Sequence, residues 1–166
     1  YASVPEMSSL IITEETINRI QSIEKNPLDF ILLNFANPDM LGHTGNFRAT
    51  IKGNEIVDEC CAKIGKATIE AGGCLIVTAD HGNCETMINR ATKEIDIAHT
   101  NNPVPLVVAN SLNEITPHQG VPQLKIGTGP KARVTGILAD VAPTVLGLLG
   151  MDIPSSMTGI DLRSVL

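Results

Sequence analysis

The chain has 166 residues, of which 43% are hydrophobic and 18% charged, and its net charge is -6. That length suits one domain with a substantial core. The acidic balance and the lack of any basic cluster argue against a nucleic-acid surface. Three Phe, one Tyr and no Trp leave a core of Ile, Leu, Val and Ala, the composition of a parallel sheet flanked by helices. No apolar run reaches membrane-spanning length and no signal peptide opens the chain, so no membrane partner and a cytoplasmic location are expected. Cys60, Cys61, Cys74 and Cys84 form no C-x-x-C pair and are expected to be reduced, buried thiols. The first residue is Tyr1 rather than Met, as in a piece of a longer polypeptide.

Residues 1–12 read as irregular, broken by Pro5-Glu6. Thr13-Glu14-Glu15-Thr16 offers an N-cap and early acidic residues for a helix to about Lys25, with Ile17, Ile20 and Ile23 as its apolar stripe. Residues 29–35 (DFILLNF) predict a buried strand, after which Pro38 can start a helical turn. A long helix is expected over 51–71, with Ile56, Val57, Cys60, Cys61 and Ile64 on one face and Gly72-Gly73 closing it. Residues 75–78 predict a strand buried on both faces. The polar excursion 84–98, with alternating Ile95 and Ile97, predicts a hairpin or an irregular lid. A strand at 106–109 follows the prolines at 103 and 105. Residues 110–133 read as a long loop with room for a short strand at 123–126. The last helix is expected over 137–149, with Val141, Val145 and Leu148 inward and Pro143 marking a kink or a restart. The tail carries a tight turn at Thr158-Gly159 and little else. No repeat or second domain is evident.

Strand, helix, strand, loop, strand, helix is an α/β alternation, and ligands of such sheets sit at a strand edge. Asp39 and His43 are spaced i, i+4, so one helical turn puts both on one face, able to hold one metal. Asp80 and His81 follow the strand at 75–78. Neighbouring side chains on a strand point apart, so these two share an ion only if the backbone turns at once, which Gly82 makes easy. His99 lies in the loop leading to the next strand. Two carboxylates and three imidazoles suit Mn, Zn, Co or Fe(II). Five ligands exceed one tetrahedral ion and fall short of two, so a two-metal site needs ligands from elsewhere in the polypeptide. His118, in a Pro-rich loop, reads as a structural histidine. Gly42, Gly45 and Gly82 read as turn glycines. No G-x-S-x-G nucleophile elbow and no P-loop occurs.

Three motifs, NFANPDMLGHTG (34–45), TADHGN (78–83) and AHTNNPVP (98–105), resemble those of the cofactor-independent phosphoglycerate mutases of the alkaline phosphatase superfamily. PEMS (5–8), VDEC (57–60), LADVAPT (138–144) and MTG (157–159) fit as well, and Leu41 stands neutrally where that family usually has Val. The resemblance implies a three-layer α/β sandwich, with a mainly parallel sheet and helices on both faces. It implies two divalent ions of the Mn type, with Mg, Co or Zn as alternatives. Asp39, His43 and His99 would hold one. Asp80 and His81 would hold the other, with an Asp and a nucleophilic Ser from an N-terminal segment. The implied reaction interconverts 3- and 2-phosphoglycerate through a phosphoserine, with the substrate held by an inserted domain. Residues 1–166 then form the C-terminal portion of the phosphatase-type domain. The nucleophile and the substrate-binding residues lie outside the chain, and the missing N-terminal part of the polypeptide is its partner. Other members of the superfamily (phosphopentomutase, a phosphatase or a sulfatase) and a non-catalytic metal-binding or interaction module stand as rivals.

Overall fold

The computed structural model describes residues 1–22, 24–25, 27–110 and 136–164. It divides into two compact units, Tyr1–Glu114 and Ile115–Leu166. The first holds three helices and two strands: α1 (Ser9–Gln21), α2 (Asn37–Gly42), α3 (Phe47–Glu70), β1 (Cys74–Thr78) and β2 (Leu106–Asn110).

Helix α1 begins four residues before the predicted start and ends four earlier. Thr13 is not its cap. The Thr13 and Thr16 hydroxyls donate backwards to the carbonyls of Ser9 and Ile12, each at 2.7 Å, which satisfies them inside the helix. The buried stripe is Ser9, Thr13, Thr16 and Ile20, a face of small and β-branched residues at helical spacing. Ile17 packs beside Ile20 as expected, and Ile23 lies outside the described residues.

Helix α3 also starts four residues early. Asn46 caps it, its Oδ1 accepting from the Ala49 N–H at 3.1 Å. The helix ends as predicted. Gly72 takes a φ of 76°, the Gly73 N–H reaches the Thr68 carbonyl at 2.9 Å, and the Gly72 N–H reaches that of Ile69 at 3.0 Å. Those two bonds make a Schellman cap, which favours glycine at the left-handed position. Cys60 and Ile64 are buried as the stripe predicted, and Ile56, Val57 and Cys61 are half-buried. Ile20, Ile64 and Ala67 form the central cluster, with Ile17, Leu33, Phe35 and Leu75 packed against it.

Residues 29–35 depart from the prediction. Leu33 and Phe35 turn onto the core while Leu32 is 82% exposed, the alternation of an extended segment with one covered face. No ladder partner pairs with it among the described residues, so it is no assigned strand. Strands β1 and β2 pair antiparallel, from Cys74 opposite Asn110 to Thr78 opposite Leu106. The parallel pairing expected of the sheet is therefore not what joins these two. β1 is half-buried rather than covered on both faces, with Leu75 seated against Gly65 of α3. All four cysteines are unpaired, but only Cys60 is fully buried. Cys74 is exposed because it opens the strand on its outer side.

Helix α2 sits on α3 through Leu41, which is fully buried against Gly53. Asn37, 2% exposed, donates to the carbonyls of Pro5 and Glu6 at 2.7 and 2.9 Å. The short helix is thereby fixed from both ends of its first turn.

In the second unit the helix expected over 137–149 is a 3-10 turn, Leu138–Asp140, followed by α4 (Val141–Leu148). Pro143 falls in the first turn of α4, where a missing N–H costs no helical bond, so the restart is the version realised. The face is rotated from the prediction. Pro143, Thr144 and Gly147 are buried, while Val141, Val145 and Leu148 are half-buried. Thr144 donates to the Asp140 carbonyl at 2.7 Å and accepts from the Leu162 N–H at 3.0 Å. The tail turns at residues 154–157, where the Met157 N–H reaches the Pro154 carbonyl at 2.9 Å, rather than at Thr158-Gly159, and it does more than turn. Leu162, in the 3-10 turn Leu162–Ser164, is 2% exposed. Asp140 accepts from the N–H groups of Ile137 and Ile160, both at 2.8 Å, and these two bonds hold its carboxyl below the usual range. The predicted loop at 110–133 and the option of a strand at 123–126 lie outside the described residues but for Asn110, which ends β2.

Leu41→Ala should destabilise the chain by about 2–5 kcal/mol, the usual cost of emptying a fully buried leucine site. Urea unfolding followed by circular dichroism measures it. A loss under about 0.5 kcal/mol, the level of ordinary surface changes, would contradict the packing of α2 on α3.

Candidate metal centre

Antiparallel pairing puts the exit of β1 beside the approach to β2. Residues 79–83 and 98–105 therefore meet at one edge. Gly82 and Thr100 bridge there, the Thr100 N–H reaching the Gly82 carbonyl at 2.8 Å. Helix α2, with Pro38 in its first turn, presents Asp39 to the same place, and His43 follows at its C-cap. Asp39, His43 and His99 converge. Asp39 Oδ1 lies 3.2 Å from His43 Nε2 and 3.1 Å from His99 Nε2, and the two ring nitrogens are 3.0 Å apart.

One further contact fixes the chemistry of that cluster. His43 Nδ1 sits 2.7 Å from the Ile97 carbonyl oxygen, so that nitrogen must carry its hydrogen. With Nδ1 so occupied, a neutral ring would aim its Nε2 lone pair inward, the tautomer a metal-ligating histidine takes. Asp39 Oδ1 is an acceptor too. A single proton on His99 Nε2 can point at only one of them, whereas a divalent cation satisfies all three donor atoms together. Ligand atoms bound at about 2.0–2.2 Å in tetrahedral or octahedral geometry lie about 2.8–3.6 Å from one another. The three observed spacings fall in that range. One oxygen and two nitrogens are the donors of a borderline or harder divalent ion.

Asp80 and His81 are nearby but not in this cluster. The His81 ring stacks on His99 with centroids 3.8 Å apart and planes at 18°. Asp80 Oδ1 is 3.5 Å from His81 Nε2 and its side chain is 83% exposed. The structure thus brings together three of the five predicted ligands as a set and leaves the other two as an adjoining, open pair. His118 lies outside the described residues.

Several residues at this edge were not singled out in the sequence. Asn83 donates through Nδ2 to Asp39 Oδ1 at 3.1 Å. Glu85 takes the hydroxyl of Thr100, the Asn102 amide at 2.8 Å and the Asn83 N–H at 2.6 Å. Burial would raise the Glu85 carboxyl, but those hydrogen bonds together outweigh it and hold it below the ordinary value. The predicted hairpin or lid at 84–98 is a narrow turn, with Ile88 opposite Ile95, and it carries the Ile97 carbonyl to His43. Cys84 is no ligand here. Its Sγ faces the Asn54 side chain, and burial pushes its thiol up, against thiolate formation. Gly42 is not in a turn but within α2, and Gly45, with a φ of 66°, is in one.

The pattern of the metalloenzyme superfamily matches residues 1–153, and the chain belongs to that family. Its relatives include 2,3-bisphosphoglycerate-independent phosphoglycerate mutases. The Clostridium beijerinckii enzyme is 45% identical over 98% of this chain, and the Rhodopirellula baltica enzyme 45% identical over 96%. The fold is shared with a crystal structure of Leishmania mexicana phosphoglycerate mutase at low cobalt concentration. That match has a TM-score of 0.75 and 32% identity, and it covers 97% of this chain and 29% of that one. The chain spans 28% of the C. beijerinckii relative and 26% of the R. baltica one. The resemblance stated from the motifs is borne out. Among the described residues no helix is long and apolar enough to cross a membrane.

The Glu85 bonds give a pH dependence with a definite sign. Its folded carboxyl lies below the ordinary value near 4.5, so its contribution to stability is present above that value and is lost as pH falls through the depressed one. Wild type should therefore lose more thermal stability than Glu85→Gln between about pH 5 and pH 3. Parallel curves for the two proteins would contradict the assignment.

Proposed function

We propose that this chain supplies the metal-binding part of a phosphatase-type domain in a phosphoglycerate mutase that interconverts 3- and 2-phosphoglycerate. Residues 1–166 would form the C-terminal portion of that domain, a three-layer α/β sandwich with a mainly parallel sheet. The remainder of the polypeptide would supply the N-terminal segment and the inserted substrate-holding domain. The single observation that carries this reading is the convergence of Asp39 Oδ1, His43 Nε2 and His99 Nε2 at 3.0–3.2 Å in a metalloenzyme-family chain. The 45% identity to mutases makes phosphoglycerate the substrate class to test first.

Asp39, His43 and His99 would hold one divalent ion. Asp80 and His81 would hold a second, completed by an Asp and the nucleophilic Ser from outside these residues. Mn is the expected metal, with Mg, Co or Zn as alternatives. Bound there, two such ions supply Lewis-acid charge to the attacking and leaving oxygens of an in-line phosphoryl transfer. This chain's own side chains orient and exclude. His43 is held in its ligating tautomer by the Ile97 carbonyl, and His99 is backed by the flat face of His81. The acidic protein needs that positive charge, since its own balance of -6 repels a phosphorylated anion. The phosphoryl group would pass through a phosphoserine, and a glycolytic role in the cytoplasm follows from the mutase reading.

Mn titration by calorimetry tests the ligand set. His99→Ala and Asp39→Ala should each weaken binding of the tighter ion by at least about a hundredfold, the upper range for loss of an outer hydrogen-bond partner alone. Asp80→Ala should leave that ion in place, because its carboxylate stands outside the three-atom cluster. Binding that survives His99→Ala would remove the imidazole from the set. Mutase turnover regained on mixing this chain with the N-terminal remainder tests the substrate. Activity of this chain alone would refute placing the nucleophile outside it.

A further inference from the structure

Asp39 and His43 come from one turn of α2 and its C-cap, His99 from the approach to β2, and one residue touches the frame of both segments. Asn83 closes the turn that leaves β1 and is 6% exposed. Its Nδ2 donates to Asp39 Oδ1 at 3.1 Å and lies 3.5 Å from His43 Nε2. Its backbone N–H is held by Glu85 Oε2 at 2.6 Å, and the other Glu85 oxygen takes the hydroxyl of Thr100, the residue after His99. The carboxamide is also confined sterically. A Cβ placed on Gly42, between Asp39 and His43 in sequence, would overlap Asn83 Oδ1 and come within 2.9 Å of its Cγ.

We propose that Asn83 is a positioning residue for the Asp39–His43–His99 cluster, its buried carboxamide fixing the Asp39 carboxylate with Oδ1 turned toward the two imidazoles. The inference rests on the metal reading of that cluster and adds a residue to it. An aspartate side chain turns freely about its carboxylate bond unless something holds it, and each freedom lost on binding subtracts from affinity. Asn83 removes that freedom beforehand. Its nitrogen is a donor and cannot ligate, so its role is orientation. Gly42 is the second half of the device, because only the absent side chain leaves the carboxamide room to lie flat on α2.

The test uses this 166-residue chain with two probes, Mn by calorimetry and Co(II) by visible absorption. Asn83→Ala and Gly42→Ala should each weaken Mn binding by about ten- to a hundredfold, the range for outer partners of metal ligands. Both should also change the Co(II) bands, which report the geometry of the bound ligands. Ile64→Val, a core change remote from the cluster in sequence and chemistry, should alter neither. Wild-type affinity and unchanged bands in Asn83→Ala overturn the proposal. The same result in Gly42→Ala overturns it even where Asn83→Ala does not fold. Absence of Mn binding in the wild type, or binding that persists in His99→Ala, overturns the metal reading itself and the proposal with it. Loss of binding in His99→Ala with full binding in Asn83→Ala overturns only the role of Asn83.

Discussion

The antiparallel pairing of β1 with β2 is the constraint on which the rest of the site depends. With Thr78 opposite Leu106, the chain leaves one strand where it joins the other. Asp80, His81 and Asn83 on the outgoing side then face His99, Thr100 and Asn102 on the incoming side. A parallel pair would send these two loops to opposite ends of the sheet, some five residues or about 17 Å apart. The Gly82–Thr100 bridge extends the pairing just past the strands and fixes the offset between the loops. Helix α2 then needs only to be delivered to that edge. Leu41 against Gly53 and Asn37 on the carbonyls of Pro5 and Glu6 deliver it.

What the pairing creates is a concentration of acceptors. With His43 neutral, Asp39 Oδ1 and His43 Nε2, 3.2 Å apart, both present lone pairs. Folding would ordinarily avoid that, since unsatisfied acceptors cost free energy wherever water is partly excluded. The chain meets the cost locally with the Asn83 amide and keeps the cluster partly open to solvent, with Asp39 at 34% side-chain exposure.

The parts of this arrangement legible in the sequence are those set by short spacing. One helical turn joins Asp39 to His43, Gly72-Gly73 stops α3, and Pro143 restarts a helix; each is a local rule with a local cause. The starts of α1 and α3 were not legible. The first turn of α1 has no side-chain cap, and Thr13, which reads as a cap in the sequence, lies inside the helix with its hydroxyl bonded back to the Ser9 carbonyl, while Asn46 caps α3. The strand direction was hidden for another reason. An apolar run with β-branched residues looks the same whichever way its neighbour runs. The segment 29–35 reads as a buried strand because it is a short apolar run, but pairing is a property of two segments and cannot be read from one.

The role of Gly42 shows the same limit at the scale of one atom. In the sequence it is a glycine between a carboxylate and an imidazole, and a turn is the economical reading. In the fold it is the last residue of α2, just before the C-cap His43. The helix is held by Leu41 and Asn37 and not by propensity, which contributes little over six residues. The freed space admits the Asn83 carboxamide to the backbone of α2 itself. A helix too short to be stable alone is therefore positioned on one side by a leucine in the core. On the other it meets the Asn83 amide, which also donates to the Asp39 carboxylate.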